Sequence, residues 1–289
     1  MRPPLPAATG ELPIVRIQPS RGWISLKLGD VWAHRELLYF LIWRDVKVRY
    51  KQTALGAAWA VIQPLTTMLV FTIFFGGLAK VGSDGLPYPI FSYTGLLPWT
   101  FFAQGLSQSS NSLVGSSNLI KKIYFPRLIV PISSVLGGIV DFAVAFVVLI
   151  GMMAYYRIWP SLAVVALPLL LLLATTCVLG VGMWLSALNV EYRDFRYIVP
   201  FLVQIWLFVT PVIYPASRVE DKLRSMGLPT WLYGLNPMAG VVQGFRWALL
   251  GRIPFPAEAL TESAVISILL LVSGAFFFKR MERTFADIV

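Results

Sequence analysis

The chain is short of charge. Only 13% of its 289 residues are Asp, Glu, Lys or Arg, about half the share of an ordinary globular protein, while 57% are hydrophobic. A soluble domain is excluded by that balance. Histidine occurs once, as His34, and cysteine once, as Cys177 within an apolar run. Neither a disulfide framework nor a Cys/His metal cluster can be assembled from them. No lysine follows a glycine, so the G-x-x-x-x-G-K-[ST] phosphate loop is missing, and any ATP that drives this protein is hydrolysed by another chain. No internal repeat is visible, which argues against an inverted-repeat secondary transporter. The excess of 24 Lys and Arg over 14 Asp and Glu gives +10. No polar domain gathers those cations, so a nucleic-acid partner is not expected and a membrane-topology signal is.

What the chain does contain is apolar helix. Arg35 to Pro64 is the stretch around which the rest is organised. At 100° per residue, Ile42, Trp43, Val46 and Tyr50 share an apolar arc with Trp32 and Tyr39, while Arg44, Lys47 and Lys51 cluster on another. Such a basic amphipathic helix, placed at 31–53, lies in a membrane interface with its cations towards anionic headgroups. Ahead of it, 1–30 reads as a cytoplasmic tail. Its first 22 residues are rich in proline (Pro3, Pro4, Pro6, Pro13, Pro19) and lack the apolar core of a cleaved signal.

The segment 54–289 divides into six expected spans: Ala57–Ala79, Tyr88–Ser112, Arg127–Tyr155, Ile158–Leu188, Tyr197–Tyr214 and Ala259–Phe278. The second is interrupted by Pro98, Gln104 and several serines. Between the last two, 215–258 is a polar excursion holding an apolar stretch, Met238–Leu250, too short to cross and broken by Arg246. That pattern predicts re-entrant or interfacial helices. With the N-terminus cytoplasmic, most Lys and Arg fall on the cytoplasmic side, including Lys121, Lys122, Arg127, Arg193, Arg196, Lys279, Arg280 and Arg283. The bias follows the positive-inside rule and places both termini in the cytoplasm.

Several stretches invite a functional reading. The second cytoplasmic connection includes the coupling candidate 116–131, in which Asn118, Lys121, Lys122 and Tyr124 fall on a short helix capped by serine or Asn118 and ended by Pro126, with Arg127 just beyond it. Composition alone favours a membrane-surface helix over a docking element for a cytoplasmic partner. Asp141, about 15 Å into the third span, is expected to make a structural hydrogen bond, since a single acid without a His or Lys relay is a poor proton pathway. The chain carries 19 Phe, 11 Tyr and 10 Trp. Trp59, Tyr93, Trp99, Phe101, Phe102, Trp206, Phe208, Tyr214, Phe245 and Trp247 stand either as an interfacial belt or as rings lining a path for sugars. Arg44, Lys47, Arg49 and Lys51 meet either lipid headgroups or a substrate diphosphate.

Four ordered motifs carry a family resemblance. They are LLxFLxWRDxKxRYxQTxLGxxWxxxxP (Leu37 to Pro64), NLIKKIYFPR (Asn118 to Arg127), YRDFRYIVPFLxQxWLFxTPVIYP (Tyr192 to Pro215) and LNPMAGxxxGFRWALLG (Leu235 to Gly251). In this order the chain resembles the permease subunits of bacterial type-2 ABC exporters for polysaccharides, the group of O-antigen, capsule and teichoic-acid transporters. The resemblance implies an all-α protein of the inner membrane: six transmembrane helices, an N-terminal interface or gate helix, and outer-side re-entrant helices. It implies a homodimer enclosing one channel, two copies of an ATPase subunit that bind ATP and Mg, and membrane lipids around it. It makes 116–131 the coupling region on that ATPase, and the substrate a glycan on an undecaprenyl-type diphosphate lipid. The chain itself then needs no cofactor and is not catalytic alone. The other class considered is a polyprenyl-phosphate glycan-processing membrane enzyme. Asp84 is alone in its loop, and Glu220 and Asp221 lie among Arg218, Lys222 and Arg224, which makes a poor acid–base pair. A stand-alone channel lacks a ring-forming charged filter.

Overall fold

Proline and glycine punctuate an otherwise continuous supply of helix formers. The computed structural model describes residues 26, 28–51, 56–282 and 285, and its regular elements are all helical. In order they are α1 (Leu28–Ala33), α2 (Arg35–Lys51), α3 (Gly56–Phe71) running into a π-helical turn (Thr72–Leu78), α4 (Tyr88–Gly115), α5 (Ser117–Lys122) and α6 (Ile129–Tyr156). A 3-10 turn (Leu162–Ala166) leads into α7 (Leu167–Glu191), followed by α8 (Phe195–Val209), α9 (Ala216–Ser225), α10 (Trp231–Gly234), α11 (Pro237–Leu250) and α12 (Ala257–Met281). The start of α11 shows the local logic. Asn236 accepts from the Met238 amide at 3.1 Å, Pro237 fills the first turn where no donor is needed, and Gly251 closes the helix at φ 64°. The Pro-rich stretch 1–22, Gln52–Leu55 before the first span, and Arg283 lie outside the described residues.

Among the described residues, four helical stretches are long and apolar enough to cross a membrane: Ala58–Leu78 (21 residues), Ile129–Tyr156 (28), Leu162–Glu191 (30) and Ala257–Met281 (25). They correspond to the first, third, fourth and sixth expected spans. The second is α4, whose 28 residues suffice in length but whose C-terminal half carries Ser107, Ser109, Ser110, Asn111 and Ser112. The fifth falls short. Expected over Tyr197–Tyr214, it is the 15-residue α8, ending at Val209. At 1.5 Å per residue α8 covers about 22 Å, less than the roughly 30 Å of a hydrocarbon core. Thr210 turns extended (φ −89°, ψ 142°) ahead of Pro211, which has no amide to continue the ladder.

The bundle is built around α4. Helices α6 and α7 pack along it, α12 packs on α7, and α11 wedges between α4, α7 and α12. Rings and aliphatic side chains of α4, α6, α7 and α11 form the main core, with Phe91, Tyr93, Phe102, Leu149, Val178 and Phe245 wholly buried. A second core at the other end joins Leu41, Leu113, Ile120, Phe125, Leu128, Met183 and Phe278. Helices α7 and α12 approach closely because Gly180 and Gly274 face each other. A Cβ on Gly180 would lie 2.6 Å from the Leu271 nitrogen, and one on Gly274 would strike the Gly180 carbonyl. The outward faces remain apolar, with Val147, Ile150, Leu169, Leu172, Ile268 and Leu269 exposed, as a lipid-facing surface requires.

Helix α2 is not divided as its wheel predicted. Leu38, Leu41, Ile42, Asp45, Val46 and Arg49 form the covered stripe, seated on α6. Trp32, Tyr39 and Trp43, expected on the arc of Ile42 and Val46, are instead exposed with Phe40, Lys47 and Lys51. The stripe at i, i+3, i+4, i+7 is what packing selects, and it runs between the two arcs.

Candidate functional site

Along α4, which buries more residues than any other helix, one strip stays open. Thr100, Ala103, Gln104, Ser107, Gln108 and Asn111 are half-buried among neighbours that are almost all buried. Their spacing of three and four residues puts them on one face. Apart from Ala103 they are polar. On either side stand α3 and α8, both packed on α4 and otherwise poorly covered. Trp59, Leu69 and Phe74 on one, and Phe201, Ile205 and Phe208 on the other, are exposed. The strip is tied to α3 where Gln104 donates to Gln63 at 3.3 Å. Inside the expected second span these polar residues interrupt the apolar run. Their regular spacing was the available signal that they form a face.

At the α2 end of the strip sits a charge cluster. Asp141 on α6 forms an ion pair with Arg49 on α2 and accepts from the Tyr50 hydroxyl. The other arm of the Arg49 fork donates to Gln108 on the α4 strip at 2.6 Å. Three helices meet there. The structural hydrogen bond expected of Asp141 is present, and a cation partner that the sequence had not revealed comes with it. Burial and the adjacent carboxylate push the Tyr50 phenol well above its ordinary range, so it remains a donor. The four cations expected together do not share a face. Arg49 points inward to Asp141. Arg44 folds onto its neighbour Asp45 at 2.8–2.9 Å, and Lys47 and Lys51 are exposed.

The aromatics expected along a sugar path are distributed differently. Tyr93, Trp99, Phe101, Phe102 and Phe245 are buried within the single chain. Phe102 meets Trp206 edge-on at 4.8 Å, and Phe142 bridges Phe101 and Phe245, each at 5.9 Å. These rings fill the space between α4, α6, α8 and α11, where their burial stabilises the bundle. Trp206, Tyr214 and Trp247 are half-buried; Trp59 and Phe208 are exposed on the flanks of the α4 strip.

In the connection after α4, Ile120 and Phe125 anchor the short helix α5 in the second core. Asn118, Lys121, Lys122 and Tyr124 stand outward, Tyr124 with 98% of its surface exposed. Arg127 is drawn away from that group. It donates to the Glu282 carbonyl and its own amide donates to the Glu282 carboxylate at 3.2 Å, joining the start of α6 to the end of α12.

The opposite end is held by the residue that breaks the apolar stretch Met238–Leu250. Arg246 on α11 is 2% exposed. It donates to the carbonyls of Pro211 (2.5 Å), Val212 (2.7 Å), Tyr214 (3.4 Å) and Phe91 (3.4 Å), and its guanidinium lies 3.6 Å over the Phe91 ring. A Cβ on Gly95 would come within 2.8 Å of it, so α4 needs glycine there. Asn236 completes the clasp, accepting from the Trp206 indole at 2.9 Å and donating to Thr210 at 2.9 Å. Cys177 is buried in α7, and the described residues include no group of three His, Cys, Asp or Glu suited to a metal ion.

Residues 36–250 match the sequence profile of the family described as "ABC-2 type transporter". An O-antigen export system permease protein from Myxococcus xanthus is 31% identical over 261 residues, covering 89% of this chain and 97% of that one. A protein of the same description from Klebsiella pneumoniae is 28% identical over 256 residues, 88% of this chain and 95% of that one. A polysialic acid transport protein from Escherichia coli is 24% identical over 252 residues, 84% and 92% respectively.

Proposed function

This chain belongs to the ABC-2 type transporter family, and we propose that it is the permease subunit of an ATP-driven exporter moving a lipid-linked polysaccharide out of the cytoplasm. It is a multi-pass membrane protein with relatives that are export permeases. The observation that carries the reading is the polar strip of α4. A row of Thr100, Gln104, Ser107, Gln108 and Asn111 facing lipid would strand its hydrogen-bonding groups in hydrocarbon. It needs water or a hydroxyl-rich cargo in front of it.

A single bundle leaves that strip uncovered, so two copies facing each other across it make the channel. In this arrangement α4 and α8 are the second and fifth of six crossings, α8 being completed by the turn after Val209. Helices α9 to α11 return into the membrane from the outer side, and both termini lie in the cytoplasm at the inner membrane. A glycan cannot shed its hydration over roughly 30 Å of hydrocarbon, and an enclosed polar face spares it that cost. The exposed Lys121, Lys122 and Tyr124 on α5 receive the ATPase subunits, which bind ATP and Mg. Closure of those subunits presses on α5, and its anchors Ile120 and Phe125 pass the movement to α4 and α6. The Arg49–Asp141 pair, at the junction of α2 with the strip, is positioned to yield when the gate helix moves. Lys47 and Lys51 on the open face of α2 meet the anionic headgroup of the carrier lipid.

The test is ATPase activity of the chain co-reconstituted in nanodiscs with its ATPase subunit, with and without glycan linked to polyprenyl diphosphate. Stable association and stimulation by the glycan lipid are expected, and both are lost in Lys121→Glu/Tyr124→Ala. Failure of the wild-type chain to associate with any nucleotide-binding subunit overturns the reading.

A further inference from the structure

We propose that the end of the bundle carrying α5 holds a binding site for a phosphate-type anion, in which Arg193 and Arg196 are the ligands over a floor of Asn111, Asn189 and Ser117. These residues line a cavity of about 560 Å³ between the ends of α4 and α7, the start of α5 and the start of α8. That is ample for a diphosphate group.

The lining decides the sign of the ligand. Two guanidiniums open onto the cavity, and among the described residues no carboxylate lines it. Glu191 and Asp194, the acids nearest in sequence, are exposed and are not among the lining residues. Two positive charges repel a cation and favour an anion over a neutral ligand. A guanidinium fork matches two phosphate oxygens with parallel charge-assisted hydrogen bonds, and two forks three residues apart suit two linked phosphates.

The floor is pre-shaped. Asn189 donates to the Ser110 carbonyl at 2.9 Å and to the Asn111 side chain at 3.2 Å, while Asn111 donates to the Ser107 carbonyl at 2.8 Å. These bonds fix the two amides and occupy both Asn189 N–H donors, so the amides shape the floor while the arginines supply the contacts to the anion. Asn111 is also the last residue of the polar strip on α4. The site therefore sits at the mouth of the strip, apart from the α2 cations, of which Arg49 and Arg44 are engaged by carboxylates of the chain itself.

The anion has two sources with the same chemistry, a free diphosphate or the diphosphate of a polyprenyl carrier. Only the second assignment rests on the exporter reading. Binding is measured on the full chain in phosphatidylcholine nanodiscs, using inorganic diphosphate in one arm and farnesyl diphosphate in the other. Both probes are expected to bind, and Arg193→Gln and Arg196→Gln each weaken binding about tenfold, as loss of one charge-assisted pair predicts. Tighter binding of the farnesyl probe assigns the site to a lipid carrier, and equal affinity assigns it to the free anion. Arg193→Lys keeps the charge and recovers only part of the affinity if the fork is what matters. Both arginines are exposed, so the substitutions leave the fold intact, and Lys222→Gln on α9 at the far end is the control that changes nothing. Unchanged affinity in the Arg193→Gln/Arg196→Gln double variant, or no binding of either probe to the wild-type chain, overturns the site. ATPase association measured on the same preparations is independent of it, so loss of the site leaves the exporter reading standing.

Discussion

Two arginines are built into opposite ends of this bundle, and the chain neutralises them in opposite ways. Arg246 at the α11 end is wholly buried, and its fork is saturated by the carbonyls of Phe91, Pro211, Val212 and Tyr214. Arg49 at the α2 end keeps 28% of its side-chain surface and faces the carboxylate of Asp141. Backbone carbonyls cannot leave without unfolding the turn that presents them. A carboxylate on a neighbouring helix can, because water reaches the pair once α2 shifts. The first arrangement fixes a shape. The second holds one that is able to change.

Breaking the first should have the larger effect. Arg246→Met keeps much of the volume but strands buried carbonyls and lets the segment after α8 go, at a cost of about 3–5 kcal/mol. The expected result is a loss of monodisperse protein in detergent, or a large fall in its thermal midpoint. Near-native stability would mean that the turn at 210–214 holds itself, and that the guanidinium is an addition to it.

How far these ends were visible in the sequence differs for a physical reason. The long spans are legible because twenty consecutive apolar residues have few other uses, and Ile129–Tyr156 and Ala257–Met281 lie close to their expected bounds. The end of α8 was not, since Thr210 and Pro211 turn the chain only with Arg246, a residue 35 positions on, to take the carbonyls. The aromatics misled for a similar reason: whether Phe102 or Phe245 faces a channel or a core depends on which helix lies opposite, and periodicity is silent on that. Arg49 could have been found. On the helical wheel it falls beside Ile42 and Val46, away from Arg44, Lys47 and Lys51, and a cation on an apolar arc implies a buried acid such as Asp141.

Breaking the second clasp should be milder and more informative. Asp141→Asn leaves Arg49 without its counter-charge at a partly covered site, for an expected loss of about 1–3 kcal/mol. In a double-mutant cycle, Arg49→Gln combined with Asp141→Asn should cost less than the two single changes added together, because neither charge is then left alone. Simple additivity of thermal or denaturant midpoints would remove the pair from any account of α2 seating.

The smallest effect sharpens the same comparison. Tyr50→Phe removes one donor to Asp141 and leaves the ion pair in place, so about 0.5–1.5 kcal/mol is expected, less than for either partner of the pair. Burial, with the hydrogen bond to Asp141 and its charge, pushes the phenol up from its ordinary value of 10.0. The sign follows from linkage. Below that value the tyrosine is protonated in folded and unfolded chain alike, and only above it does the unfolded chain release a proton that the folded one retains. The difference between wild type and Tyr50→Phe should therefore be flat from about pH 6 to pH 9 and change only in stronger alkali. A difference that varied within that window would mean that another ionisable group has entered the junction, and that the α2 clasp is governed by a titration which Arg49, Asp141 and Tyr50 do not supply.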